Sequence, residues 1–248
     1  IHRSFPSEIS YCGVAVNTGS RDEYADEHGM AHFVEHMLFK GTRKRKAHHI
    51  ANRMESVGGE LNAYTTKEET FIYTAFLKEY FPRAVELLSD LVLHSEFAPQ
   101  QIEREREVVL DEISSYRDFP SEQIYDDFEN LVYRGHDIGH YILGDPESLM
   151  QFNTNSLQRF VQREYQPSNM VFFSFGKTPF NKVLKQLEKH FNFPVTTATQ
   201  VKERTAPDAL MPVDTELVKN TNQAHMMLGW NAFGMHDADR YALYLLNN

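Results

Sequence analysis

Apolar and polar positions along the chain repeat with two different periods, and the switches between those periods mark out its elements. Ile9 to Thr18 is strand-like and ends at Gly19-Ser20. Met30 to Phe39 is a nearly all-apolar run of helical length, interrupted only by His32, Glu35 and His36, and Gly41 stands where a helix-ending residue is expected. Ala47 to Val57 has helical spacing and stops at Gly58-Gly59. Leu61 to Thr65 and Thr70 to Leu77 predict a strand pair, the second strand rich in β-branched and aromatic residues. Pro82 opens a helix through about His94 and Pro99 another through about Arg117, while Ser121 to Tyr133 and Asn155 to Tyr165 continue the helical pattern. Met170 to Phe175 reads as a buried strand ending at Gly176, and Pro179 to Phe191 as the helix after it. The expected fold class is α+β, a mixed or antiparallel sheet with helices packed on one face.

The tail breaks this rhythm. Pro194 to Pro212 is rich in Thr, Ala and Pro with little apolar pattern and reads as a linker. Val213 to Thr221 and Ala224 to Phe233 then read as strands, and Gly234-Met235-His236-Asp237-Ala238-Asp239 leads into an amphipathic Arg240 to Leu246. A strand, a glycine and an acidic turn entering a helix also occur near the start, which predicts an internal repeat. The expected organisation is a domain over 1–193, a linker over 194–212, and over 213–248 the start of a second, homologous but noncatalytic repeat, truncated at Asn248.

Composition narrows the class without choosing a function. A chain of 248 residues with 41% hydrophobic content can bury a substantial core, and no apolar run approaches the roughly 20 residues of a membrane helix. The formal charge of −10 argues against nonspecific nucleic-acid binding and suits peptides carrying basic residues. The basic run Arg43-Lys44-Arg45-Lys46 reads as a solvated loop or helix entry. Cys12, the single cysteine, excludes an internal disulfide and reads as a core residue. It permits a reducing compartment without requiring one, so the location stays open, leaning only weakly to the cytoplasm and leaving room for a removed leader.

The candidate chemistry lies in His32-Phe33-Val34-Glu35-His36. Histidines at i and i+4 share a helix face and can reach one ion with Zn–N bonds of about 2.0–2.1 Å, while Glu35 stands beside them as a candidate general base. The order inverts the commoner His-Glu-x-x-His, a spelling linked to the inverzincins. The plain alternative is a pair of hydrogen-bonded core histidines with Glu35 paired to one of them. A catalytic zinc site wants a third protein ligand and leaves a fourth position to water. Glu105 and Glu112 fall on the apolar stripe Ile102, Val109, Tyr116 of the Pro99–Arg117 helix, and inward carboxylates need a cation; either can be the ligand by position. Glu103, Glu107 and Asp111 can lie toward solvent among Arg104 and Arg106. The other histidines, His28, His48, His49, His94, His136, His140 and His225, read as surface or loop residues.

Taken together, these segments resemble the pitrilysin family of zinc peptidases, most of all its branch of mitochondrial processing peptidase β subunits and their bacterial relatives. The resemblance runs through Gly19-Ser20-Arg21-Asp22-Glu23, Glu35-His36-Met37-Leu38-Phe39-Lys40-Gly41-Thr42, Gly58-Gly59-Glu60-Leu61-Asn62-Ala63-Tyr64-Thr65 and Gly144-Asp145-Pro146-Glu147-Ser148, with Glu112 placed 76 positions after His36. It implies that His32, His36 and Glu112 hold one Zn2+ per chain, that Glu35 is the general base, and that Glu105 is a second carboxylate supporting the site. From the residues alone, Leu61, Asn62, Ala63, Tyr64 and Thr65 are either a plain hairpin edge or a strand that pairs an extended peptide, and the resemblance favours peptide binding. It further implies an endopeptidase acting on extended or unfolded polypeptides, whose cavity is completed by the second repeat or by a partner subunit in a homo- or heterodimer. A noncatalytic scaffold subunit, as some members of the family have become, is the alternative.

Overall fold

The computed structural model of the chain describes residues 1–193, 201–207, 212–219, 222–230, 232–234 and 236–247. In chain order the elements are β1 (His2–Ser4), β2 (Ile9–Val16), α1 (Met30–Leu38), α2 (Ala47–Glu55), β3 (Glu60–Thr65), β4 (Thr70–Leu77), α3 (Phe81–His94), α4 (Pro99–Arg117), α5 (Pro120–Val132), α6 (Pro146–Gln151), α7 (Thr154–Glu164), β5 (Met170–Gly176), α8 (Phe180–His190) and α9 (Arg240–Asn247). Pattern reading finds the longer elements to within a residue or two and misses α6. Six residues are too few to display a helical period, although Asp145 caps this helix by accepting from Ser148 N at 2.9 Å and Pro146 follows it.

The five strands form one mixed sheet in the order β1-β5-β2-β4-β3. β1 runs parallel to β5, and the other pairings are antiparallel. Alternation sorts the strand residues: Cys12, Val14, Val16, Ile72, Thr74 and Phe76 turn to a buried face, covered by helices that include α1, α2 and α3. Tyr11, Tyr64 and Val171 turn to the opposite, open face, where Tyr64 stacks on Phe71 at 4.9 Å and Phe5 on Phe175 at 4.7 Å. Cys12 is fully buried in the core, as its sequence context predicts. β3, like β1 at the other side, is a terminal strand of the sheet, so its outer edge has no strand partner among the described residues.

Three devices place α1. Its first backbone amides are satisfied by the buried Glu23 carboxylate, which accepts from Gly29 N and Ala31 N at 2.9 Å each. Gly29 enters the helix at φ +90, and its backbone passes so close to Gly144 that a Cβ on Gly144 would meet His28 O at 2.4 Å. Behind the entry loop, Arg163 on α7 grips Glu27 through two bonds of 2.9 and 2.6 Å, and Glu164 accepts from Thr18 at 2.8 Å. His28 and His140, expected at the surface or in loops, pack edge to face at 4.2 Å between centroids and are half-buried, because the Gly29–Gly144 crossing brings their loops together.

The tail departs from expectation. Among the described residues of 213–221 and 224–233, none lies in a strand. Residues 194–200 and 208–211 of the expected linker lie outside the described residues, as do 220, 221 and 231 of the expected strands. Residues 201–207 form no helix or strand, yet they are anchored: Lys202 donates to Glu23 O at 2.7 Å, and Arg204 donates to Asp22 through two bonds of 2.8 Å. The helix expected at Arg240–Leu246 is present as α9.

Candidate functional site

α1 buries almost its whole circumference, with Met30, Phe33, Val34, Met37 and Leu38 at 0% exposure. His32 and His36 therefore meet on its α4 side, ring centroids 4.5 Å apart and Nε2 atoms 3.2 Å apart. Burial and the neighbouring His36 push the His32 pKa down to about 3, which keeps that imidazole neutral and its nitrogen free to bind an ion.

α4 brings both of its stripe glutamates to this pair, at different depths. Glu105 is buried, its side chain 5% exposed, and its Oε1 lies 2.8 Å from His36 Nδ1 while its Oε2 lies 2.5 Å from Lys40 Nζ. Glu112, expected to face inward like Glu105, is instead 43% exposed at the mouth of the site, because the helix carries it two turns further along. Its Oε2 lies 3.8 Å from His32 Nε2 and 3.6 Å from His36 Nε2. Burial disfavours charge on both members of the inner pair. The His36–Glu105 bond and the surrounding charges outweigh it, raising the His36 pKa and, with Lys40, lowering that of Glu105. Lys40 escaped the sequence reading, although its position four residues after His36 on the same face was a usable signal. Elsewhere on α4, Arg106 differs from its expected place toward solvent. It bonds the carbonyls of Leu149 and Phe152 at 3.1 and 2.9 Å, since α6 ends beside it.

Glu35 is half-buried beside the pair. Its Oε2 accepts from Thr65 Oγ1 at 2.6 Å, and burial raises its pKa against that bond and the His36 charge. Of the strand residues singled out in the sequence, Leu61, Ala63 and Thr65 turn toward the helices, while Asn62 and Tyr64 turn to the open face.

His32, His36 and Glu112 are the group of His, Cys, Asp and Glu side chains, among the described residues, whose donor atoms can share a metal ion. Their donor atoms form a triangle with sides of 3.2, 3.6 and 3.8 Å. A point about 2 Å from all three corners exists in such a triangle, which matches Zn–N and Zn–O lengths of about 2.0–2.2 Å. A donor set of two imidazoles and one carboxylate is one that zinc accepts, and Glu105 bonds the other ring nitrogen of His36.

Residues 1–146 match the family model described as insulinase, peptidase family M16, and residues 151–248 match the model described as the M16 inactive domain. The chain belongs to the M16 peptidase family. It is 34% identical over 239 residues to a Bacillus subtilis protein named as the uncharacterized zinc protease YmxG, covering 95% of this chain and 57% of that one. A Mycobacterium tuberculosis zinc protease is 36% identical over 238 residues, covering 95% and 54%. The chain thus spans about half the length of the curated relatives it matches. In fold, a protease from Helicobacter pylori superposes with a TM-score of 0.75 at 24% identity, covering 84% of this chain and 50% of that one. The periplasmic protease PqqL of Escherichia coli gives 0.76 at 23%, covering 84% and 24%. Among the described residues, no helix of this M16 chain is long and apolar enough to cross a membrane.

Proposed function

We propose that this M16 chain carries the metal-binding part of a zinc endopeptidase that cleaves extended polypeptides. His32, His36 and Glu112 hold one zinc ion, and Glu35 serves as the general base. The observation that supports this most is the convergence of the three donor atoms beside a carboxylate that stands outside their group and accepts from Thr65. When bound, the ion supplies a Lewis acid for the scissile carbonyl and lowers the pKa of a water at the site. Glu35 takes that water's proton and returns it to the leaving amine; partial burial keeps the carboxyl basic enough for both transfers. Glu105, clamped by Lys40, bonds His36 Nδ1 and so holds the ring with Nε2 facing His32 and Glu112, where it would be available to a metal. The free edge of β3 offers the main chain of Leu61 to Thr65 to an extended peptide, and a second repeat or a partner subunit closes the cavity over it.

A noncatalytic subunit would need neither the base nor the full donor set, so Glu35→Gln in the intact protein decides between the two readings. The variant is expected to keep wild-type zinc content and to lose about 100- to 10,000-fold in hydrolysis of an extended peptide. A wild-type protein with full zinc and no hydrolysis beyond that of the variant would instead establish the scaffold reading.

A further inference from the structure

We propose that Thr65 is a positioning residue for Glu35, so that the strand offered to the substrate also aims the base through its side chain. The inference rests on the reading of Glu35 as general base. α1 by itself does not orient that carboxylate: successive helix positions differ by about 100°, so Glu35 leaves the helix in a different direction from His36, and a glutamate has three rotatable side-chain bonds. A tertiary contact has to select the rotamer. The Thr65 hydroxyl supplies one at 2.6 Å, a short bond to a charged acceptor, while the charges of His36 and Glu112 act on the same carboxyl.

The hydroxyl proton has little competition. Thr65 Oγ1 also lies 3.5 Å from Thr70 Oγ1, but the Thr70 proton is committed to Thr18 O at 2.8 Å, and the nearer, charged Glu35 is the better acceptor for Thr65. Thr65 is itself held firmly. It is β-branched, it pairs across the ladder with Thr70, and the turn between them is tied by Thr66 Oγ1, which accepts from Glu68 N and Glu69 N at 3.2 and 3.0 Å. Because the bond uses Oε2 of Glu35, Oε1 remains to receive the proton from water. The two faces of β3 thereby separate the roles of Thr65: its main chain lies on the edge available to a peptide, and its side chain turns inward to the base.

The test uses the intact, zinc-loaded protein and one extended peptide. Thr65→Val keeps the branched shape and removes the hydroxyl, Thr65→Ser keeps the hydroxyl, and Thr65→Ala serves as a second deletion. Both deletions are expected to lower kcat about 10- to 100-fold, the effect of losing a hydrogen bond to a charged group, with KM within about twofold and zinc content unchanged. Thr65→Ser should recover most of the rate. Adding Thr65→Val to Glu35→Gln should cost nothing further, since both act through one carboxylate. A wild-type kcat in the deletions, a change confined to KM, or failure of serine to rescue would overturn the proposal while Glu35→Gln remains inactive. Undiminished hydrolysis by Glu35→Gln would overturn the base assignment and this proposal with it.

Discussion

α1 and α9 are both short helices with apolar stripes, and their fates are opposite. In α1 the apolar side chains are sealed, with Phe33, Val34, Met37 and Leu38 at 0% exposure, whereas in α9 Tyr241 and Tyr244 are 62% and 61% exposed and Leu245 and Leu246 79% and 84%. The stripe specifies a side to bury but not a surface to bury it against. For α1 that surface comes from β3, α4 and α7, and its amides are capped by Glu23. Among the described residues, no comparable surface covers α9. Burial is also what lets α1 carry chemistry, because polar groups within a packed helix keep few rotamers and low hydration.

Three measurements sharpen or break this contrast. The largest effect belongs to the α1–α4 centre: Glu112→Ala should lose zinc affinity by more than the roughly 10- to 100-fold expected when an outer partner is changed, and Glu105→Gln should stay within that range. Equilibrium dialysis with zinc ranks the two, and the opposite order would exchange their roles. Next, Phe33→Ala in α1 should destabilise the chain by about 3–5 kcal/mol in denaturant melts, while Leu245→Ala in α9 stays within about 0.5 kcal/mol. Equal shifts would mean that the α9 stripe is packed in solution, and the contrast would fail.

Smallest for any single step of its measurement is a pH dependence, about 1 kcal/mol for each pH unit. His32 has its pKa lowered from an ordinary 6.5 to about 3 in the fold, so between these values the unfolded chain binds a proton that the folded chain refuses. Its contribution to stability is therefore complete above about pH 6.5 and declines as the pH falls toward 3. The metal-free protein should lose stability over that window more steeply than its His32→Gln variant. Parallel curves for the two would show that His32 is as hydrated as an exposed residue of the tail.

Sequence by itself determined the elements whose patterns are local. Pro99 and the stripe after it define α4 at both ends, and the alternation of Thr70 to Leu77 defines β4, because helix and strand periods record burial residue by residue. The same logic placed His32, Glu35 and His36 on one turn and Glu105 and Glu112 on one stripe. Tertiary structure alone decided what those groups touch. Spacing could not tell the buried Glu105, 69 residues from its partner His36, from Glu112 at the mouth; the depth at which α4 crosses α1 does that. Nor could it join Thr65 to Glu35 across 30 residues, or show Lys40 clamped to Glu105. It also read strands into 213–233, where the apolar alternation is present and the described residues form none. A strand's backbone needs a neighbouring strand for its hydrogen bonds, and no pattern within one segment can provide it.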